Sequence, residues 1–338
     1  MIFTLRDTMG LAASAGLEEE PESLEGFSLC RLTADWSRVE PADGVFDEAV
    51  LSACRERIQG LRERGVCPVL VLHRRGLPAW LEERGGFASG GGVTCYLRYA
   101  HRMVEALGDL ASSYITFDEP NCLALAAYLP GGEGKRSLLA AARSMTNLTA
   151  AHIEAYGLIR KTRLAMGFTD TRVGVSPQLR VFAPKNPQDP VHRFWASRSR
   201  QIFQASLIRA MYTGRASFPI GGHPSIVPGR YCDFHAPSYG GRSVLSGPAM
   251  PAEREADPAG AVQICRALYA LLPRPLWVTG DGSAPDAVRQ LQALCACELP
   301  VEAFCCRGTE AREALRRIAA LGGMDAALYE RLAGEEDC

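Results

Sequence analysis

Eight short apolar runs, five to seven residues each, recur from one end of the chain to the other, and helix-patterned stretches lie between them. They fall at residues 9–15, 28–34, 67–73, 113–117, 172–176, 231–236, 275–279 and 300–305. Parallel strands cannot be joined by a tight turn and need a crossover, usually a helix, so this rhythm predicts a parallel sheet covered by helices. Between the second and third runs, Leu51, Cys54, Ile58 and Leu61 fall three or four apart with charges opposite, and Gly65 ends the pattern. Comparable stretches cover 95–107, 135–163, 193–212, 258–272, 285–295 and 309–332. Eight strands with interleaved helices predict an α/β fold, a (β/α)₈ TIM barrel forming a single domain over residues 1–338; a doubly wound sheet has a similar pattern.

Composition narrows the ligand. The 37 basic and 38 acidic residues leave a net charge of −1, which offers no footprint for nucleic acid or an anionic membrane. Small, neutral or mildly charged ligands are favoured. No run approaches the roughly 20 apolar residues of a membrane span, and Arg6 and Asp7 interrupt any apolar core near the start, which makes it a poor signal peptide. A cytoplasmic protein is expected, with its oligomeric state open. The 12 cysteines stand mostly alone on apolar runs, and Cys295/Cys297 and Cys305/Cys306 lack the C-x-x-C spacing of a zinc site. They read as reduced thiols, so neither metal nor cofactor is expected. The glycine-rich run 131–135 lacks P-loop spacing and follows no strand.

In a barrel the chemistry gathers just past the C-terminal ends of the strands. The residues so placed are Arg31, Trp36, His73 to Gly76, Asp118, Glu119, Tyr239, Gly280, Asp281 and the segment 304–308. Glu119, in "YITFDEPN", is a carboxylate ending a strand at a proline-stopped turn, the kind of group that serves as a general acid or base. His73 reads as a packed strand-end residue, and Trp36 and Trp80 as packing beneath the site. Arg74 and Arg75 fit either solvated loop charges or an anion clamp.

Several segments together resemble the family 1 glycoside hydrolases, the β-glucosidase-like retaining enzymes. "CRLTADWSRVEPADGVFDEA" is similar to that family's second-strand signature, and "GVCPVLVLHRRGLPAWLEERGGF" to its third strand and loop. "YITFDEPN" resembles the Thr-x-Asn-Glu-Pro motif that carries the acid/base glutamate, which implies that role for Glu119. "NLTAAHIEAYGLIR" matches the following helix, "YCDFHAPSYGG" the sixth strand, and "RPLWVTGDGS" takes the place of the nucleophile motif Thr-Glu-Asn-Gly. The resemblance implies a carbohydrate or glycoside ligand and hydrolysis of O-glycosyl bonds.

The departures are specific. Gly280 stands where the family has its nucleophile, implying a vacant position of carboxylate size beside Arg31, the residue that supports the nucleophile in the family. Arg74 replaces a sugar-binding His, Asp118 the Asn before the acid/base, Leu17 an early Gln, and Arg307 a Trp after the eighth strand. Retaining hydrolysis needs two carboxyl groups about 5 Å apart, one as nucleophile and one as acid then base. Asp281 is the candidate second carboxylate, although strand alternation turns it away from the barrel unless a bulge re-aims it; the alternative is a turn residue in "GDG". Two functions therefore stand open. One is a glycosidase with Glu119 as acid/base, completed by Asp281, a carboxylate from elsewhere or a substrate group, and with Arg31, Arg74, Asp118 and Tyr239 binding substrate. The other is a catalytically silent relative that binds a sugar, sugar phosphate or protein partner.

Overall fold

The computed structural model of the chain describes residues 3–4, 9–17, 24, 26–126, 137–248, 254–280, 283–307, 309–321 and 323–324. Eight parallel strands form the barrel: β1 (Gly10–Gly16), β2 (Leu29–Thr33), β3 (Cys67–Val71), β4 (Ser113–Asp118), β5 (Arg172–Ser176), β6 (Phe234–His235), β7 (Leu276–Gly280) and β8 (Val301–Cys306). Each pairs with the next, and β8 returns to β1 through Ala303 opposite Gly10, so the ring closes and the doubly wound alternative is excluded.

Alternation along the strands divides the apolar residues into two cores. Val69, Val71, Ile115, Phe234, Ala236, Trp277 and Ala303 fill the barrel interior. The opposite faces pack beneath the helices, where Leu32, Leu70, Tyr114, Val278 and Phe304 meet residues such as Ile58 and Leu291. Helix Glu48–Glu63 buries Leu51, Cys54, Ile58 and Leu61, the stripe its spacing predicts. Its first turn is capped by Asp47, whose carboxylate accepts from the Ala49 and Val50 N–H groups at 2.9 and 3.1 Å. Asp47→Ala is expected to lower stability by about 1 kcal/mol, read as a shifted denaturation midpoint with an unchanged slope.

Four further strands among the described residues were not expected: Phe3–Thr4 pairs antiparallel with Gly323–Met324, inside the stretch expected as helix 309–332, and two more lie at the barrel rim. After Pro177 the chain of β5 resumes as strand Gln178–Pro184, and after Pro237 that of β6 resumes as strand Ser238–Leu245; the two pair in parallel at the barrel rim. Proline has no N–H to give a ladder, so each one reads locally as a stop. Its carbonyl still accepts, however: Pro177 from Ser238 N–H at 2.9 Å and Pro237 from Thr279 N–H at 2.8 Å. The edge of strand Gln178–Pro184 is closed by side-chain amides. Asn121 bonds the backbone N–H and C=O of Gln178, and Gln204 those of Arg180. The helical stretch 193–212 divides into Pro190–Arg200, a π-turn Gln201–Ala205 that presents Gln204, and Ser206–Thr213.

Every cysteine among the described residues is a free thiol. No described helix is long and apolar enough to cross a membrane.

Candidate functional site

Six of the residues singled out in the sequence, Arg31, Arg74, Arg75, Asp118, Glu119 and Arg307, meet at the C-terminal mouth of the barrel. Arg31 points inward from β2 and is buried. It donates to the Thr279 hydroxyl on β7, to Asp118 Oδ1 at 3.1 Å and to Ser176 Oγ on β5 at 3.2 Å. A buried guanidinium without an acid is costly, and Asp118 is the acid that meets it. Asp118 also accepts from Ser176 Oγ at 2.6 Å and pairs with Arg307 at 3.0 Å and Arg74 at 3.3 Å. Burial alone would raise the Asp118 pKa; Arg31, Arg307, the Ser176 hydrogen bond and Arg74 together outweigh it and hold the carboxyl below its usual range.

Glu119 follows immediately, buried and in the left-handed region at φ +58°. A bulky residue there, ahead of a proline, is strained. The turn is held by its N–H on the Ser176 carbonyl at 2.6 Å and by its carbonyl, which accepts from Leu123 N–H at 3.0 Å. Glu119 Oε1 accepts from Arg307, from Ser238 Oγ at 3.1 Å and from Gln178 Nε2 at 3.4 Å. Arg75 Nη2 lies 3.7 Å from Oε2. The arrangement is two adjacent carboxylates inside a ring of guanidinium and hydroxyl donors, suited to fixing charge and accepting hydrogen bonds.

The structure overturns two sequence expectations. Gly280 does end β7, but its missing side chain leaves no vacancy beside Arg31. Alternation turns Trp277 and Thr279 inward and Gly280 outward, where an added Cβ would lie 2.7 Å from Gln290 Oε1 and 2.8 Å from the Phe304 ring. Thr279 is what Arg31 meets at this strand end. Tyr239, expected to bind substrate, likewise faces outward; its hydroxyl donates to the Asp257 carbonyl at 2.7 Å, and Ser238 beside it reaches Glu119 instead. Asp281 and Gly282 lie outside the described residues.

His73 packs edge-on to Trp36 and Phe117, and burial pushes its imidazole down to about 4, so it is neutral at physiological pH. Trp36 donates to Glu40 Oε2 at 2.8 Å and Trp80 to the Glu40 carbonyl at 3.0 Å, in the packing roles expected of them. Below Arg31 the barrel holds a cavity of about 10 Å³, room for one water at most. Sequence inspection missed Ser176, Gln178, Ser238 and Thr279. The two prolines at the ends of β5 and β6 are the local signal that marks the first three.

Comparison with known proteins agrees with this geometry. The family model "Glycosyl hydrolase family 1" matches residues 24–219, more than half of the chain. Beta-glucosidase A of Thermotoga maritima is 27% identical over 177 residues, which are 51% of this chain and 39% of that protein. A beta-glucosidase of Agrobacterium is 30% identical over 130 residues, 38% of this chain and 28% of that one. The chain thus spans well under half the length of these curated relatives. Among solved structures, the beta-glycosidase from Pyrococcus horikoshii superposes with a TM-score of 0.80 at 17% identity, covering 97% of this chain and 98% of that one. The Thermotoga maritima beta-glucosidase solved with glucoimidazole gives 0.73 at 18% identity, covering 83% and 73%. With a closed eight-stranded barrel and an extended match across its second to fifth strands, the chain belongs to glycosyl hydrolase family 1.

Proposed function

We propose that the barrel mouth binds a glycoside or related carbohydrate and that the two-carboxylate retaining reaction of the family does not run there. The observation that carries this is Asp118 on Arg31, because the family resemblance gives that guanidinium to the nucleophile. The three departures Arg74, Asp118 and Arg307 are also one unit, since Asp118 pairs with both arginines. Positions that the resemblance gives to sugar-binding residues are here charged and paired with one another. Glu119 Oε1 already receives three donors, whereas a general acid must turn its proton toward a leaving oxygen. The glucoimidazole held by the similar Thermotoga maritima enzyme supports a sugar-like ligand.

A second reading keeps glycoside hydrolysis, with Glu119 as general acid/base and Asp281 as its partner. Its support is the strained backbone of Glu119, since strain of this kind gathers at functional positions. An aryl β-glucoside assay separates the two. Equal, background rates for the wild type and Glu119→Gln, with saturable glucoimidazole binding by calorimetry, are expected for the binding protein. A wild-type rate about 10²-fold or more above background that collapses in Glu119→Gln would establish the hydrolase instead.

A further inference from the structure

Away from the barrel mouth, a cavity of about 590 Å³ opens between helix Pro258–Leu271 and the helical stretch from Pro190 to Thr213, with strand Gln178–Pro184 as its floor. Its volume lies within the range of small-molecule sites. Leu179, Val181, Ile208, Ile264 and Leu268 form a buried apolar strip across the floor and walls, beside polar Ser197, Gln201 and Gln263, and Leu271 is exposed. Arg193, Arg200 and Arg209 of the helical stretch also line the cavity, all exposed, and none makes an ion pair among the described residues. No Asp or Glu lines the cavity.

That asymmetry distinguishes the site from an ordinary solvated face. Charged helix surfaces usually mix both signs, and the chain as a whole is nearly neutral, yet this rim carries one sign only. Guanidinium groups suit carboxylate, sulfate and phosphate oxygens, with which they form paired hydrogen bonds. Half of the requirement is thus for an anion and half for an apolar body. The π-turn adds a structural reason for the cavity to persist. Gln204, presented by that turn, is bonded at both ends to the backbone of Arg180, which fixes the helical wall to the floor and keeps the gap from closing.

We propose that this cavity binds a free single-chain amphiphilic anion, its tail on Leu179, Val181, Ile264 and Leu268 and its head group on Arg193, Arg200 and Arg209. A free molecule fits better than a lipid surface, because the apolar area is recessed between two helices.

Dodecanoate, kept below its micelle concentration, is the probe, titrated by calorimetry into the full chain beside dodecanol and dodecyltrimethylammonium. One saturable site is expected, with at least about tenfold preference for dodecanoate over both comparators. Arg193→Glu/Arg200→Glu should weaken dodecanoate about tenfold or more and remove that preference. Ala267→Trp, which fills the cavity from the facing helix, should abolish binding of all three, with circular-dichroism melting used to confirm that each variant is folded. The proposal is overturned if dodecyltrimethylammonium binds as well as dodecanoate, if binding survives in folded Ala267→Trp, or if no saturable site is found. Co-sedimentation with phosphatidylglycerol vesicles that dodecanoate does not compete away would also overturn it in favour of a membrane surface.

Discussion

Replacing Asp118 with alanine is expected to lower the unfolding free energy by about 3–5 kcal/mol, the usual cost of removing one member from a buried ion-pair cluster. For a chain of this length, 4 kcal/mol corresponds to roughly 6 °C in melting temperature. The loss arises because Arg31 is buried and would keep only the hydroxyls of Thr279 and Ser176, while Arg74 and Arg307 would face each other with one carboxylate fewer. Restoring neutral partners together should relieve much of this, so Asp118→Asn/Arg307→Gln is expected to cost less than the sum of its single changes. A loss under about 1 kcal/mol in Asp118→Ala, or strict additivity in the double variant, would mean that the cluster does not act as a unit. The same group sets an acid limit. Its folded pKa lies below the unfolded value of about 3.9, so its contribution is complete above that value and disappears as pH falls through the folded one. Stability of Asp118→Asn should accordingly fall less steeply than that of the wild type below about pH 4.

Gly280 variants are expected to fail through packing. Gly280→Ala should cost about 1–3 kcal/mol, since the new methyl meets Gln290 and Phe304 at under 3 Å and one of them must move. Gly280→Glu should cost several kcal/mol more, because its carboxylate would enter the apolar layer beneath helix Ala284–Ala296. Neither variant should raise the rate on an aryl β-glucoside. Denaturant titration and initial rates on the same preparations decide this, and a stable Gly280→Glu protein with glycosidase activity would reverse the assignment of Thr279 as the inward residue.

The contrast between Gly280 and Thr279 shows what was legible in the sequence. The barrel was, because each strand and helix carries its own apolar period and β5 is bounded by Pro177 exactly where its local pattern stops. Arg31, Arg74, Asp118 and Glu119 were legible too, each lying in a motif a few residues long. Facing was harder. A one-residue change in side-chain parity turns a strand inside out, and parity at the end of β7 is set by its register with β8, not by the letters around it. Tyr239 and Ser238 exchange roles for the same reason. The Arg307–Glu119 pair joins positions 188 residues apart, and no local pattern announces it. The rim strands were hidden because each begins after a proline, where a local rule ends a strand.

The sequence distances spanned by Arg31 also bear on how the chain comes to be folded. Its partners lie 87, 145 and 248 residues downstream, on three different strands. Contacts of such range are slow to form, since a long loop must close before any of them stabilises the chain. During synthesis at about 5–20 residues per second, Arg307 follows Glu119 out of the ribosome by roughly 10–40 s. Until β7 and β8 arrive, the growing half-barrel has no lid of strands over Val69, Val71 and Ile115, and its charged mouth remains hydrated. The nascent chain therefore keeps apolar strand surface exposed through most of its translation, and the polar cluster that stabilises the finished barrel forms only when nearly the last strand is made.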